Sequence, residues 1–237
     1  MPLAQTGAGN VTSSNGASVS SLTFSKPGNV SDLDLFIAIV YHRNASATLS
    51  GPAGWNWAKQ ENGNGTFGVA WKPIPSAAGE TATSYAFSTS GGSGRMVGGL
   101  VRVTGADLTN PVDATGATSV FTGTTSLVLP AVTAVQGGCL LLALETNNAG
   151  ATTSTFTADA AMGGVTQLAI NDGTASCNIQ LAQQQLTSSG STGTRTATMS
   201  PAANNSAGFM VTIAPPPGRG LPPLQAPRGA VRRAATW

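Results

Sequence analysis

The sequence predicts an all-β protein: two tandem antiparallel β-sandwich repeats of jelly-roll type, followed by an extended Pro/Arg-rich C-terminal tail. Three observations carry this. Charged residues make up 8% of the 237-residue chain against 41% hydrophobic residues, and Gly, Ser, Thr, Ala and Asn fill the difference. Such a balance suits short strands joined by many turns, because amphipathic helices carry Glu, Lys and Arg along their exposed faces. Second, "SLTFSKPGNVSDLDLFIAIV" (21–40) aligns without a gap on "SLVLPAVTAVQGGCLLLALE" (126–145) at an offset of 105, a duplication of one structural unit. Third, proline and arginine concentrate after residue 214.

The offset of 105 matches Leu22 to Leu127, Phe24 to Leu129, Phe36 to Leu141, Ala38 to Ala143 and Ile39 to Leu144. From Gly54 onward it becomes 110, matching Trp55 to Val165, Val69 to Ile179, Trp71 to Leu181, Val101 to Val211 and Val103 to Ile213. Residues 76–95 show no clean counterpart. The expected units are therefore 1–114, 115–214 and the tail 215–237.

In the first repeat, strands are expected over 17–25, 33–42, 55–60, 66–72, 81–88 and 96–104, with equivalents in the second. "TFGVAWK" alternates, placing Phe67, Val69 and Trp71 on one face and Thr66, Gly68, Ala70 and Lys72 on the other, the pattern of a half-buried strand. "LFIAIV" and "CLLLAL" are continuous apolar runs, which suit central strands covered on both faces. Trp55 stands where the second repeat has Val165, and Trp71 where it has Leu181, so both tryptophans are expected in a core. "NDGT" (171–174) has the composition of a tight hairpin turn.

Little in the chain points to catalysis. The single histidine, His42, lies in "VYHRN" at a strand end, with no Gly-x-Ser-x-Gly elbow elsewhere, and is expected at the surface or a loop edge. One histidine and two cysteines make neither a zinc motif nor a disulfide framework. Cys177 falls on an inward face as a core thiol, whereas Cys139 has no obvious place. The carboxylates sit mostly beside Gly, Asn or Thr in turns, where Asp accepts local backbone hydrogen bonds. "GGSGRMVGG" (91–99) lacks the Gly-Lys-Ser/Thr ending of a phosphate loop. No catalytic residue, cofactor or metal is expected. If a glycan is bound, Trp57, Tyr41 and His42 are the candidate contacts.

The formal charge of +2 divides unequally: residues 1–214 carry 7 basic and 9 acidic side chains, net −2, while the tail is +4. The body thus offers no broad basic surface for nucleic acid. No apolar run approaches the roughly 18 residues of a membrane-spanning helix, and "MPLAQTGAGN" lacks the pattern of a signal peptide. In the tail, Arg219, Arg228, Arg232 and Arg233 alternate with Leu221, Leu224, Val231 and Trp237, which fits an arm that docks on another subunit by charge and apolar anchors.

"VSDLDLFIAIVYHRNASATLSGPAGWNWAKQ", then "GVAWKPI" and "GGLVRVTGADLTNPVDA", resembles repeats in structural proteins of tailed bacteriophages, particularly actinophages. The resemblance covers residues 17–114 well and 115–214 more loosely, since Pro-Ala-Gly-Trp becomes Met162-Gly163-Gly164-Val165 in the second copy. It implies a non-enzymatic virion protein, assembled with other tail or capsid subunits in the bacterial cytoplasm and associating with itself. A minor tail protein comes first; a capsid decoration or head-fibre protein and a carbohydrate-binding host adhesin are the alternatives.

Overall fold

The structure is a computed structural model that describes residues 3–13, 17–147, 155–166, 177–203 and 206–217. Every regular element among them is a strand. The first repeat contributes β1 (Ala4–Ser13), β2 (Ser21–Ser25), β3 (Asp34–His42), β4 (Thr48–Ser50), β5 (Asn56–Asn62), β6 (Thr66–Ile74), β7 (Ser84–Ser90) and β8 (Met96–Thr104). The second begins with β9 (Val112–Thr115), β10 (Ser119–Phe121), β11 (Thr124–Leu129), β12 (Thr133–Ala134), β13 (Leu140–Asn147) and β14 (Thr155–Thr157). It continues with β15 (Gly163–Thr166), β16 (Asn178–Gln185), β17 (Gly190–Ser191), β18 (Arg195–Ala203) and β19 (Ser206–Ile213).

Each repeat builds one broad and one narrow sheet, all antiparallel. In the first, β1-β8-β3-β6-β5 form the broad sheet and β2-β7-β4 the narrow one. In the second, β10-β19-β13-β16-β15 form the broad sheet, with β9 also pairing β19, and β11-β18-β14 the narrow one. β12 and β17 make a separate two-stranded ribbon. The apolar runs lie where expected: β3 is hydrogen-bonded between β6 and β8, and β13 between β16 and β19.

The two broad sheets share a single inner core. Leu35, Ile37, Ile39, Tyr41, Phe67 and Val101 of the first repeat pack with Leu140, Leu142, Leu144, Ile179, Phe209 and Val211 of the second. Phe67 and Phe209 meet across it with ring centroids 4.9 Å apart. Each narrow sheet then covers the opposite face of its own broad sheet, giving layers in the order narrow, broad, broad, narrow. A broad sheet covered on both faces is why β6 is not the half-buried strand its alternation predicts. Phe67 and Val69 enter the inner core, and Ala70 enters the outer one.

Register extends the duplication into the stretch the sequence leaves unaligned. Leu22 and Phe24 of β2 face Phe87 and Tyr85 of β7, and Leu127 and Leu129 of β11 face Ala197 and Arg195 of β18. β7 and β18 therefore correspond at the offset of 110. A glycine repeats at this offset for a steric reason. A Cβ on Gly98 would stand 2.4 Å from Phe24 Cζ, and one on Gly208 would stand 2.6 Å from Leu129 Cδ2, so both let the β2 or β11 side chain reach the broad sheet. Val112 and Ala114 of "PVDA" pair with Ile213 and Thr212 of β19, so this short strand adds to the broad sheet of the second repeat. β1, which pairs with β8, is not among the strands expected from the sequence, because its Gly-rich segment shows no apolar alternation.

Candidate functional site

The tail residues Arg219, Leu221, Leu224, Arg228, Val231, Arg232, Arg233 and Trp237, and the turn at 171–174, lie outside the described residues. The three candidate glycan contacts do not form one surface. Tyr41 is buried in the inner core, its hydroxyl donates to the Asn64 carbonyl at 2.9 Å, and burial pushes its pKa upward. His42 is 0% exposed rather than at the surface, because the bridge between Val19 and Gly94 closes over the strand end. Its Nδ1 accepts from the Asn44 backbone N–H at 3.2 Å, and burial holds its pKa below the usual histidine value. Trp57 alone stays half-buried, packed against the first outer core.

Trp55 is a core residue as expected, although register corrects its counterpart. β15 joins β16 at Gly163↔Gln183 as β5 joins β6 at Asn56↔Trp71, which sets the buried Met162, and not Val165, at the position of Trp55. Its ring stands edge-on to Tyr85 and Phe87 at 5.3 and 5.1 Å, and Phe24 and Trp57 complete the cluster around Phe87. Trp71 is half-buried against the inner core. Cys177 lies in the inner core as expected. Cys139 is buried as well; its thiol donates to the Gln136 carbonyl at 3.2 Å and is pushed up to about 12 by burial, then by Asp113. Both thiols are buried, without the exposure of a reactive cysteine.

Most described carboxylates have evident structural partners. Asp107 accepts from the N–H groups of Thr109 and Asn110, Asp159 from those of Ala161 and Thr196, Asp32 from that of Ala77, and Asp113 from that of Val135. The two bonds at Asp159 hold its carboxyl below the usual range. Asp34 pairs with Arg102 at 3.3 Å, Glu61 with Lys59 at 3.1 Å and Glu80 with Lys72 at 2.6 Å.

Glu145 differs. It is 2% exposed, its Oε2 has no partner among the described residues, and burial raises its pKa to about 8. Register sets it on β13 directly beside Gln180 of β16, and two residues further along, Asn147 lies between Asn178 and Ser206. These residues face the narrow sheet of the second repeat, and all are buried. Both polar atoms of Gln180 and of Asn178 lack partners among the described residues, whereas Ser206 donates to Asn147 at 3.1 Å. Side chains directly opposite in an antiparallel pair stand about 5 Å apart, so this is one polar cluster inside a sandwich.

The chemistry open to the cluster is limited. A carboxyl with a pKa near 8 is mostly protonated at neutral pH, so Glu145 stands there as a neutral acid, donor and acceptor at once. Among the described residues no three His, Cys, Asp or Glu side chains come together to hold a metal. The alignment contains the signal that would have located the cluster: at the offset of 105 Glu145 occupies the position of Val40, at the end of a strand covered on both faces. Comparison with protein-family models, curated proteins and solved structures finds no match.

Proposed function

We propose that the chain is a non-enzymatic structural component of a bacteriophage virion, a minor tail protein that assembles with other virion subunits. The observation that carries the reading is the inner core shared by two copies of one sandwich, which makes a rigid four-layered body. Its described carboxylates stabilise turns, form ion pairs or lie sealed in the interior. The sequence resemblance supplies the virion, because a β-sandwich by itself serves many functions.

The tail is the assembly element in this reading. Its +4 charge faces neighbours of a body that is net −2, and Leu221, Leu224, Val231 and Trp237 supply apolar anchors. Capsid decoration uses the same properties at a different place on the particle. A glycan-binding adhesin is less well supported, since Tyr41 and His42 have no exposed face.

Mass spectrometry of purified phage particles tests the proposal. The protein is expected in intact particles, with incorporation falling sharply when residues 215–237 are removed. Its absence from particles overturns the virion reading, and normal incorporation of the truncated chain overturns the docking arm.

A further inference from the structure

The duplication creates two seams between the broad sheets, and only one of them is plugged. β9 and β10 pair with β19 at the positions where β1 pairs with β8, and β15 pairs with β16 where β5 pairs with β6. The seam where β5 meets β9 is therefore the counterpart of the seam where β1 meets β15. Lys59 closes the first. Its ammonium donates to the Gly116 carbonyl at 2.6 Å and lies 4.9 Å over the Phe209 ring.

The second seam is a groove of about 270 Å³ lined by Leu3, Ala4, Leu140, Gly163 and Gln183. That is several times the roughly 30 Å³ share of one water. Leu3 and Leu140 give it apolar walls, and the buried Gln183 Oε1 is an acceptor without a partner among the described residues. The described chain ends beside it. Ile213 is the register partner of Leu140, and Pro215 lies next to Gly138, where an added Cβ would be 3.5 Å from the proline ring.

We infer that Leu221 and Leu224 of the same chain seat in the groove between β1 and β15. Neighbouring strands are about 4.8 Å apart, so the path from β19 across β13 to β16 is about 10 Å. The four residues from Pro217 to Leu221 span about 13 Å when extended, enough to deliver the first large apolar side chain of the tail. Pro222 and Pro223 lack N–H groups, so a leucine N–H is the backbone donor available to Gln183 Oε1. The opposite charges of body and tail favour the approach. With Leu221 and Leu224 taken up by their own body, Val231 and Trp237 remain as the apolar anchors for a neighbouring subunit. The inference is intramolecular and does not depend on the virion reading.

Disulfide trapping in the isolated full-length protein tests it. With Ala4→Cys and Leu221→Cys, mild oxidation is expected to give a reduction-sensitive crosslink within the monomer, since bridged Cα atoms must lie within about 7 Å. No crosslink, or disulfide-linked dimers alone, overturns the same-chain seat. Should that variant fail to fold, amide exchange gives the answer on the natural chain. Exchange at residues 183–185 is expected to be about tenfold slower than in a chain carrying Leu221→Asp and Leu224→Asp, through lost local protection. Equal rates overturn the inference.

Discussion

The outer layers of the two repeats solve one packing problem with different chemistry. In the first, the narrow sheet brings Phe24, Tyr85 and Phe87 down onto small side chains of the broad sheet, Ala38, Val40 and Ala70, with Gly68 beside them. In the second, the narrow sheet offers Leu129, Arg195 and Ala197, and the broad sheet rises to meet it with Glu145, Asn178 and Gln180. Volume has moved from one layer to the other, as close packing requires. Polarity has not been conserved, and burying amides and a carboxyl without partners costs free energy that an apolar layer does not. The lesson is that duplication preserves backbone register and total volume more faithfully than it preserves the nature of the filling.

The inner core is the place where the repeats cannot be treated separately, so its disruption is expected to have the largest effect. Phe209→Ala removes the ring that meets Phe67 across the two broad sheets and should cost about 3–5 kcal/mol, as aromatic truncations in cores do. Urea unfolding followed by circular dichroism measures it. An effect below about 1 kcal/mol would mean that the two repeats do not rely on this contact.

Trp55→Ala is expected to cost a similar amount, about 3–5 kcal/mol, through the loss of edge contacts to Tyr85 and Phe87. If that variant instead melts like the parent and loses binding to cell-surface glycan, Trp55 serves a ligand and not the core.

The second outer layer should betray itself through pH. Glu145 has a folded pKa of about 8, above its value in the unfolded chain, so between pH 4.5 and 8 the native state holds the proton more tightly. Stability contributed by the protonated form is complete below the unfolded pKa and declines as pH rises towards the folded one. Glu145→Gln keeps the shape and cannot ionise; relative to the parent it should gain about 2–4 kcal/mol between pH 5 and pH 8.5. Parallel stability curves for parent and variant across that range would show that Glu145 does not carry the effect.

The exchange of volume can be tested by partly reversing it. Ala197→Phe, which copies Phe87, should alone cost about 1–3 kcal/mol by overpacking. Combined with Gln180→Gly, which copies Gly68 opposite Val40, it should recover most of that loss, measured as a double-mutant cycle. Strict additivity would mean that the two positions do not share space.

Much of this architecture was legible in the sequence, and the exceptions have identifiable causes. The duplicated apolar runs located β3 and β13 because strands covered on both faces need side chains that are apolar on both. β1 was invisible because its pairing uses backbone groups of a Gly-rich segment. The correspondence of β7 with β18 was hidden by the same volume exchange, which sets Ala197 opposite Phe87 and Arg195 opposite Tyr85 in the alignment. His42 reads as a surface residue from its polar neighbours, whereas its burial depends on a bridge between Val19 and Gly94, both distant from it in sequence. Glu145 stood in the alignment at Val40, but only a covered outer face makes a carboxyl there unusual.

The central claim is that two sandwiches sharing one inner core form a single cooperative unit. Differential scanning calorimetry of the full-length protein tests it most directly. One transition, with van't Hoff and calorimetric enthalpies equal, is the predicted result. Two resolved transitions, each with the enthalpy of about half the chain, would contradict it and make the repeats independent domains.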